Sequence, residues 1–148
     1  MEKTSTPFMK PSPVEAVFNH FFGVLVGWGI APSYNYLLQV KGRKSGRIYS
    51  TPVDLLDYRG KRYLVAPRGE TQWVRNARVS REVWLKKGRS RQQYALRTLE
   101  DRQKPEILKE YLTRYKTTVQ KYFNVRGGDP LEAFSKIAPN YPVFELEK

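Results

Sequence analysis

The first patterned stretch of the chain is helical. From Pro13 to Trp28, apolar residues recur at every third or fourth position, which is the spacing of an amphipathic helix. We therefore predict a helix that begins at Pro13 and ends near Gly27 or Gly29. Residues 1–12 lack this periodicity and contain several prolines and polar residues, so we predict a flexible arm there.

Beyond Pro32 the pattern changes to short segments that are typical of β-strands and are separated by turns. The predicted strands span residues 36–40, 47–58, 61–66, 83–87, 92–98 and 141–147. Thr51-Pro52 lies inside the second segment, and because proline has no N–H to donate, this segment must be an edge strand or carry a bulge. Short strands joined by tight turns favour a small antiparallel barrel.

Three further segments have helical spacing. We predict a short helix over residues 70–79, a long one over 104–122 and another over 129–138. Pro105 suits the first turn of the second of these helices, and Asp129-Pro130 suits the start of the third. A length of 148 residues fits one domain, so we expect residues 13–148 to form a single α+β unit.

Positive charge is concentrated in the middle of the sequence. The chain has 27 lysines and arginines against 14 acidic residues, a net charge of +13, and residues 41–102 hold 17 of the basic and only 6 of the acidic residues. Such a density favours an anionic partner, which could be a phosphorylated small molecule, a lipid surface or a nucleic acid. The alternative is a merely solvated basic surface.

The residue types that are scarce exclude several classes of chemistry. The chain has no cysteine and one histidine, so disulfides, thiol nucleophiles and cysteine-containing zinc sites are excluded, and we expect no metal. The apolar segment 14–30 carries Glu15, Asn19 and His20 and is too short for a membrane span. We expect a cytoplasmic protein whose first helix covers one opening of the barrel; the alternative is that this helix contacts a membrane surface.

Two loops carry candidate chemistry. The sequence GRKSGR at residues 42–47 lies between two predicted strands, and its glycines, hydroxyl and cations indicate a nest for an anion. The second loop, APRG at residues 66–69, leads into the predicted helix that carries Trp73. Arg68 and the helix N-terminus could hold an anionic or carbonyl oxygen there, and Trp73 offers a flat face to a planar ring or packs in the core.

These two loops, with Thr51-Pro52 and the sequence WVRN at residues 73–76, resemble the deazaflavin-dependent nitroreductase family. The resemblance runs from the N-terminal helix to the last predicted strand. It implies a split β-barrel that binds coenzyme F420, a cofactor with a flat ring at one end and a phosphodiester with an oligoglutamate tail at the other. FMN is the less favoured cofactor.

The resemblance also implies which segments touch the cofactor. Residues 43–45 would hold the phosphate, 49–54 would run along the deazaflavin, 65–68 would supply backbone and side-chain contacts, and 72–76 would close over the ring. The implied cofactor-binding residues are Arg43, Lys44, Ser45, Tyr49, Ser50, Thr51, Pro52, Val53, Asp54, Val65, Ala66, Pro67, Arg68, Gln72, Trp73, Val74, Arg75 and Asn76.

We therefore expect an F420H2-dependent reductase that transfers hydride to a hydrophobic, electron-poor acceptor such as a quinone, an enone or a nitroaromatic. Hydride chemistry needs orientation and a proton rather than a nucleophile, and we expect Tyr49 or Tyr122 to donate that proton. One alternative is a barrel that binds FMN, F420 or a lipid without catalysis. Another, less favoured, is a basic nucleic-acid-binding barrel with Tyr58, Tyr63 and the other central aromatics as stacking surfaces. The oligomeric state stays open.

Overall fold

A computed structural model describes residues 34–148, which form one seven-stranded antiparallel sheet. The strands are β1 (Asn35–Lys41), β2 (Ile48–Asp54), β3 (Leu56–Tyr58), β4 (Lys61–Val65), β5 (Glu82–Lys87), β6 (Ser90–Thr98) and β7 (Val143–Glu147). Their order in the sheet is β2-β1-β5-β6-β7-β4-β3. The consecutive strands β2 and β3 are therefore the two edges of the sheet, and because one residue separates them, the sheet curls into a half-barrel.

Four helices accompany the sheet: α1 (Gln72–Ser80), α2 (Pro105–Arg114), α3 (Lys116–Val119) and α4 (Leu131–Ile137). Short 3-10 turns cover Asp101–Gln103, Gln120–Tyr122 and Ala138–Asn140. Pro105 occupies the first turn of α2, where its missing N–H is not needed. Helix α1 ends at Arg81, whose φ of 62° places it in the left-handed region while its N–H donates to the Ala77 carbonyl.

The two faces of the sheet bury separate cores. On the concave side, Leu38, Leu85 and Phe144 pack against Val74 and Ala77 of α1. On the other side, the β3, β4 and β7 half of the sheet is covered by α2 to α4, with aromatic and leucine side chains of those helices fully buried. Within residues 34–148, no side chain of the edge strand β2 is fully buried in either core, although Val53 packs against the first of them, and the strand forms one wall of a cavity.

The sequence prediction was wrong about the strand over 47–58. The structure divides it at Leu55, so that β2 pairs with β1 while β3 pairs with β4 at the opposite edge. The Leu55 N–H donates to the Tyr34 carbonyl at 2.8 Å and fixes the crossing point. Of the two positions predicted for Pro52, an edge strand or a bulge, the edge strand is confirmed, since among the described strands β2 pairs with β1 alone.

The single helix predicted over 104–122 was also wrong, because α2 ends at Tyr115 with φ −113° and ψ 30°. The Tyr115 hydroxyl donates to the Leu55 carbonyl at 2.6 Å, a tertiary contact that a continuous helix pattern does not reveal. The other predicted strands and helices beyond residue 34, and the α+β class, are confirmed. The predicted arm, the first helix and its membrane contact lie outside the described residues. None of the described helices has the length and hydropathy needed to cross a membrane.

Candidate functional site

A cavity of about 950 Å³ extends along the edge strand β2. Its walls come from the strand itself, the loop before it, the start of β1, the loop from β4 into α1 with the first turns of α1, and helix α2 with the helical segment after it. The lining residues are Tyr34, Asn35, Gly42, Arg43, Lys44, Ser45, Tyr49, Ser50, Thr51, Pro52, Val53, Asp54, Val65, Ala66, Pro67, Arg68, Thr71, Gln72, Trp73, Asn76, Tyr111, Thr118, Val119 and Tyr122. A volume near the upper end of the usual range for ligand sites suits a large cofactor together with a substrate.

The two ends of this cavity differ in chemistry. Seven residues of β2 span about 20 Å, since a strand rises about 3.3 Å per residue. The strand begins directly after the basic loop 42–47, and we call this end of the cavity the loop end. Its last residue, Asp54, lies near Tyr111 and opposite Asn35; we call this the tyrosine end. A ligand with an anionic tail and a flat apolar ring matches this polarity.

At the loop end, Arg43 is tied to helix α1. Its backbone N–H donates to Asn76 Oδ1 at 3.0 Å and its Nη1 donates to the same oxygen at 2.8 Å. Nη1 also donates to Gln72 Oε1 at 3.0 Å. Asn76 is almost fully buried, with 5% of its surface exposed, so the loop is anchored to a fixed point of the helix rather than left to move in solvent.

The structure changes the predicted anion nest. The N–H groups of Gly42 and Gly46 donate within the loop, to the carbonyls of Arg47 and Gly42. The Arg47 N–H donates to Ser45 Oγ at 3.1 Å. With the Arg43 N–H used by Asn76, four backbone donors are already occupied, so a nest built from them is not formed. Anion binding at this end would fall to the Lys44 ammonium and the Ser45 hydroxyl, which line the cavity.

The loop before α1 supplies a second polar feature. The Thr71 hydroxyl is buried and has no hydrogen-bond partner within residues 34–148, although Thr71 occupies the N-cap position of α1 and lines the cavity. An unpaired buried hydroxyl is costly unless a ligand or water pairs with it. Trp73, in the first turn, packs with its ring centroid 5.9 Å from that of Phe144 and presents an aromatic wall to the cavity.

The tyrosine end has unusual electrostatics. The Asn35 amide donates to Asp54 Oδ1, which favours the carboxylate, but burial dominates and raises the pKa of Asp54 to about 6. Burial, and secondly the charge of Asp54, raise the pKa of Tyr111 well above its usual value. The Tyr115 ring stacks at a tilt on Tyr34, with centroids 4.8 Å apart, so this end is a mostly apolar, aromatic compartment.

The cavity brings together most of the residues that the sequence singled out. Of the implied cofactor-binding set, Val74 and Arg75 do not line it: Val74 is fully buried in the concave core and Arg75 is exposed on α1. Both predicted proton donors line it, with Tyr49 half exposed and 3.3 Å from Ser45 Oγ at the loop end, and Tyr122 beyond α3. Of the aromatics that the nucleic-acid alternative would use for stacking, Tyr63 is buried in the core and Tyr49 is exposed.

Sequence reasoning missed several lining residues: Tyr34, Asn35, Thr71, Tyr111, Thr118 and Val119. Thr71 had a usable signal, since threonine is a favoured N-cap residue and the observed helix begins at the next residue, Gln72. Tyr111 and Val119 lie on helical stripes that are equally typical of core residues, so the pattern alone does not distinguish a cavity wall from the interior.

Several solved structures have the same fold as this chain. One, described as a domain-swapped dimer, is 20% identical, with 92% of this chain and 100% of the other aligned and a TM-score of 0.56. An F420-H2 dependent reductase is 20% identical over 78% of this chain and 95% of its own, with a TM-score of 0.53. A NimC/NimA family protein from Clostridium acetobutylicum is 13% identical over 76% and 73%, with a TM-score of 0.51. No curated protein matches the sequence with significance.

These neighbours establish the split-barrel fold that the sequence resemblance implied. The function follows from a family model, that of the F420H(2)-dependent quinone reductases, which matches residues 17–127. The match includes β1 to β6, α1, α2 and both loops that line the cavity. The chain therefore belongs to the F420H2-dependent quinone reductase family and is an F420-dependent oxidoreductase.

Proposed function

We propose that the protein transfers hydride from F420H2 to a hydrophobic, electron-poor acceptor, a quinone, an enone or a nitroaromatic, inside the cavity along β2. The observation that carries this proposal is the polarity of that single cavity. Lys44 and Ser45 stand at one end, while Tyr34 and Tyr111 stand near Asp54 at the other, and the family supplies the cofactor.

The residues present fit coenzyme F420. Its phosphodiester and acidic tail would lie at the loop end, where Lys44 supplies charge and Ser45 a hydroxyl. Its flat ring would lie against Trp73 and the edge strand β2. The buried, unpaired hydroxyl of Thr71 would gain a partner from a polar atom of the bound ring, which offsets the cost of burying it.

When bound, the reduced cofactor supplies the hydride, and the chain orients the two reactants. The anchored loop fixes one end of the cofactor through the contact between Arg43 and Asn76. The aromatic compartment at the tyrosine end excludes water and favours a planar apolar acceptor. Holding both reactants in a near-attack geometry provides a large part of the acceleration in such reactions. The reactants lose their translational freedom when they bind, so this entropy loss no longer adds to the barrier of the chemical step.

The first test is a fluorescence titration of the full chain with oxidised F420. We expect micromolar or tighter binding that weakens at least tenfold, about 1.4 kcal/mol, in Lys44→Ala. The matched control is Lys136→Ala on α4, which removes an exposed lysine away from the cavity and should bind as the wild type does. Equal affinities of all three proteins would contradict the assigned phosphate end.

The second test follows oxidation of F420H2 with three acceptors, menadione, cyclohexenone and a nitrobenzene derivative, added separately to the wild type. We expect oxidation of F420H2 in step with reduction of at least one of them. A protein that binds F420 yet reduces none of the three would contradict hydride transfer to this class of acceptor.

A further inference from the structure

Asp54 is the one carboxyl group among the described residues that line the cavity. It ends β2 at the tyrosine end, about 20 Å of strand away from the basic loop. The Asn35 side-chain amide donates to Oδ1 from the neighbouring strand, which fixes the carboxyl plane. Because Oδ1 accepts this bond, Oδ2 is the oxygen of Asp54 that remains to carry a proton.

Of the titratable groups around Asp54, the Asp54 carboxyl has the pKa best suited to donating a proton near neutral pH. On the helix side, burial raises the pKa of both Tyr111 and Tyr115, and the charge of Asp54 raises each further, while Arg114 opposes the rise at Tyr115. The Tyr115 proton is also committed to the Leu55 carbonyl. On the sheet side, Lys87 donates to the Asn35 carbonyl at 2.8 Å, and burial lowers its pKa.

We propose that the Asp54 carboxyl delivers the proton that accompanies hydride transfer to the acceptor, with Asn35 as the residue that positions it. The inference rests on the proposed reductase function and adds the acid to it. For a quinone, the balance is one hydride from the reduced cofactor and one proton from Asp54. The Oδ2–H bond breaks and an O–H bond forms on the acceptor oxygen. After the reduced acceptor has left the cavity, the carboxylate regains its proton from solvent water.

This assignment differs from the sequence prediction, which gave Tyr49 or Tyr122 as the proton donor. Tyr49 lies beside Ser45 at the loop end, on the same side as the phosphate site. A carboxyl with its pKa near 6 is a stronger acid than a phenol and recovers its proton readily near neutral pH, where general acids are most effective. Asp54 therefore combines the required position with the required acidity.

The test compares Asp54→Asn with Asp57→Asn in the full chain. The first change keeps the shape and an oxygen that accepts from Asn35, but removes the proton donor. Asp57 is exposed on β3 and does not line the cavity. Its Oδ1 lies 3.0 Å from Arg62 Nε, and its variant serves as the control. With menadione at pH 7, we expect kcat to fall about 100-fold in Asp54→Asn and to stay within twofold in Asp57→Asn.

Three readouts separate a proton donor from a structural residue. The dissociation constant of oxidised F420 should change less than about threefold in Asp54→Asn, since its geometry is kept. In protein labelled with ¹³C-aspartate, the Asp54 carboxyl resonance, assigned by its loss in the variant, should titrate near pH 6. The wild-type kcat should also fall as pH rises through this range, and the variant should lose that dependence.

Three results would overturn the role of Asp54: a kcat loss below threefold, a loss confined to F420 affinity, or titration of the carboxyl near pH 4. These results require an active wild type and leave the reductase function standing. A wild type that binds F420 but reduces no acceptor would overturn the reductase function and this role together.

Discussion

Arg43 and Asn76 meet through one oxygen: Asn76 Oδ1 accepts both the backbone N–H and the guanidinium Nη1 of Arg43, at 3.0 and 2.8 Å. The two residues are 33 positions apart, and their contact joins the loop before β2 to helix α1. Arg43, which the sequence resemblance places at the phosphate, thus holds the loop in place. Lys44 is then the loop lysine that lines the cavity.

Replacement of Asn76 by alanine should loosen this loop. We expect a loss of about 1–3 kcal/mol in the free energy of unfolding, because hydrogen bonds to a charged group are removed at a buried position. The dissociation constant of F420 should rise about tenfold, since Lys44 and Ser45 are no longer held in register. Urea denaturation and fluorescence titration measure the two effects. Gln72→Ala, which removes only the exposed contact to Arg43, should have the smaller effect on both, and the reverse order would contradict this explanation.

Gly42 is a position where a methyl group should disturb binding more than folding. A Cβ there would lie 2.6 Å from Tyr49 Cε2 and 3.0 Å from Ser45 Oγ. Because Tyr49 is 49% exposed, its ring can turn aside, and we expect Gly42→Ala to cost under about 1 kcal/mol of stability. Displacement of Tyr49 and Ser45 should weaken F420 binding several-fold in the fluorescence titration. Gly128→Ala is the control, since a Cβ there meets nothing within 4 Å, and equal affinity of the two variants would refute the prediction.

Trp73 and Trp84 offer a matched pair of partly buried indoles. Trp73 faces the cavity, whereas Trp84 lies on β5 with the Arg91 guanidinium 4.6 Å above its ring. Replacement by alanine should lower the melting temperature in both cases, because each loses apolar contact. Only Trp73→Ala should also weaken F420 binding, by about tenfold for one lost aromatic wall. A similar loss of affinity in Trp84→Ala would show that the effect on Trp73 is not local.

Local patterns predicted the elements of this fold well and their partners poorly. The segment 47–58 predicts a single strand because no glycine interrupts it, and nothing in its pattern tells which edge each half will join. The break at Tyr115 depends on a hydroxyl that reaches the Leu55 carbonyl, 60 residues away. The cavity loops were found because glycine, proline and charge mark them locally, whereas the pairing of Asn35 with Asp54 arises only from the register of β1 and β2.

Asp54 should make the folded protein less stable at neutral pH than its amide variant. Burial raises its pKa from 3.8 to about 6 in the folded state, so the folded chain holds this proton more tightly than the unfolded chain does. The stabilisation by the protonated form is complete below about pH 4 and is lost as pH rises through 6, a cost of about 3 kcal/mol above that range. Asp54→Asn cannot ionise and avoids this cost. Urea denaturation of both proteins should therefore show the variant more stable at pH 8, by up to that amount, with the difference shrinking steadily between pH 7 and pH 4. A difference that is independent of pH would mean that the Asp54 carboxyl titrates in the folded protein as it does in the unfolded chain, and one that grows on acidification would mean that folding lowers its pKa; either result would contradict the prediction.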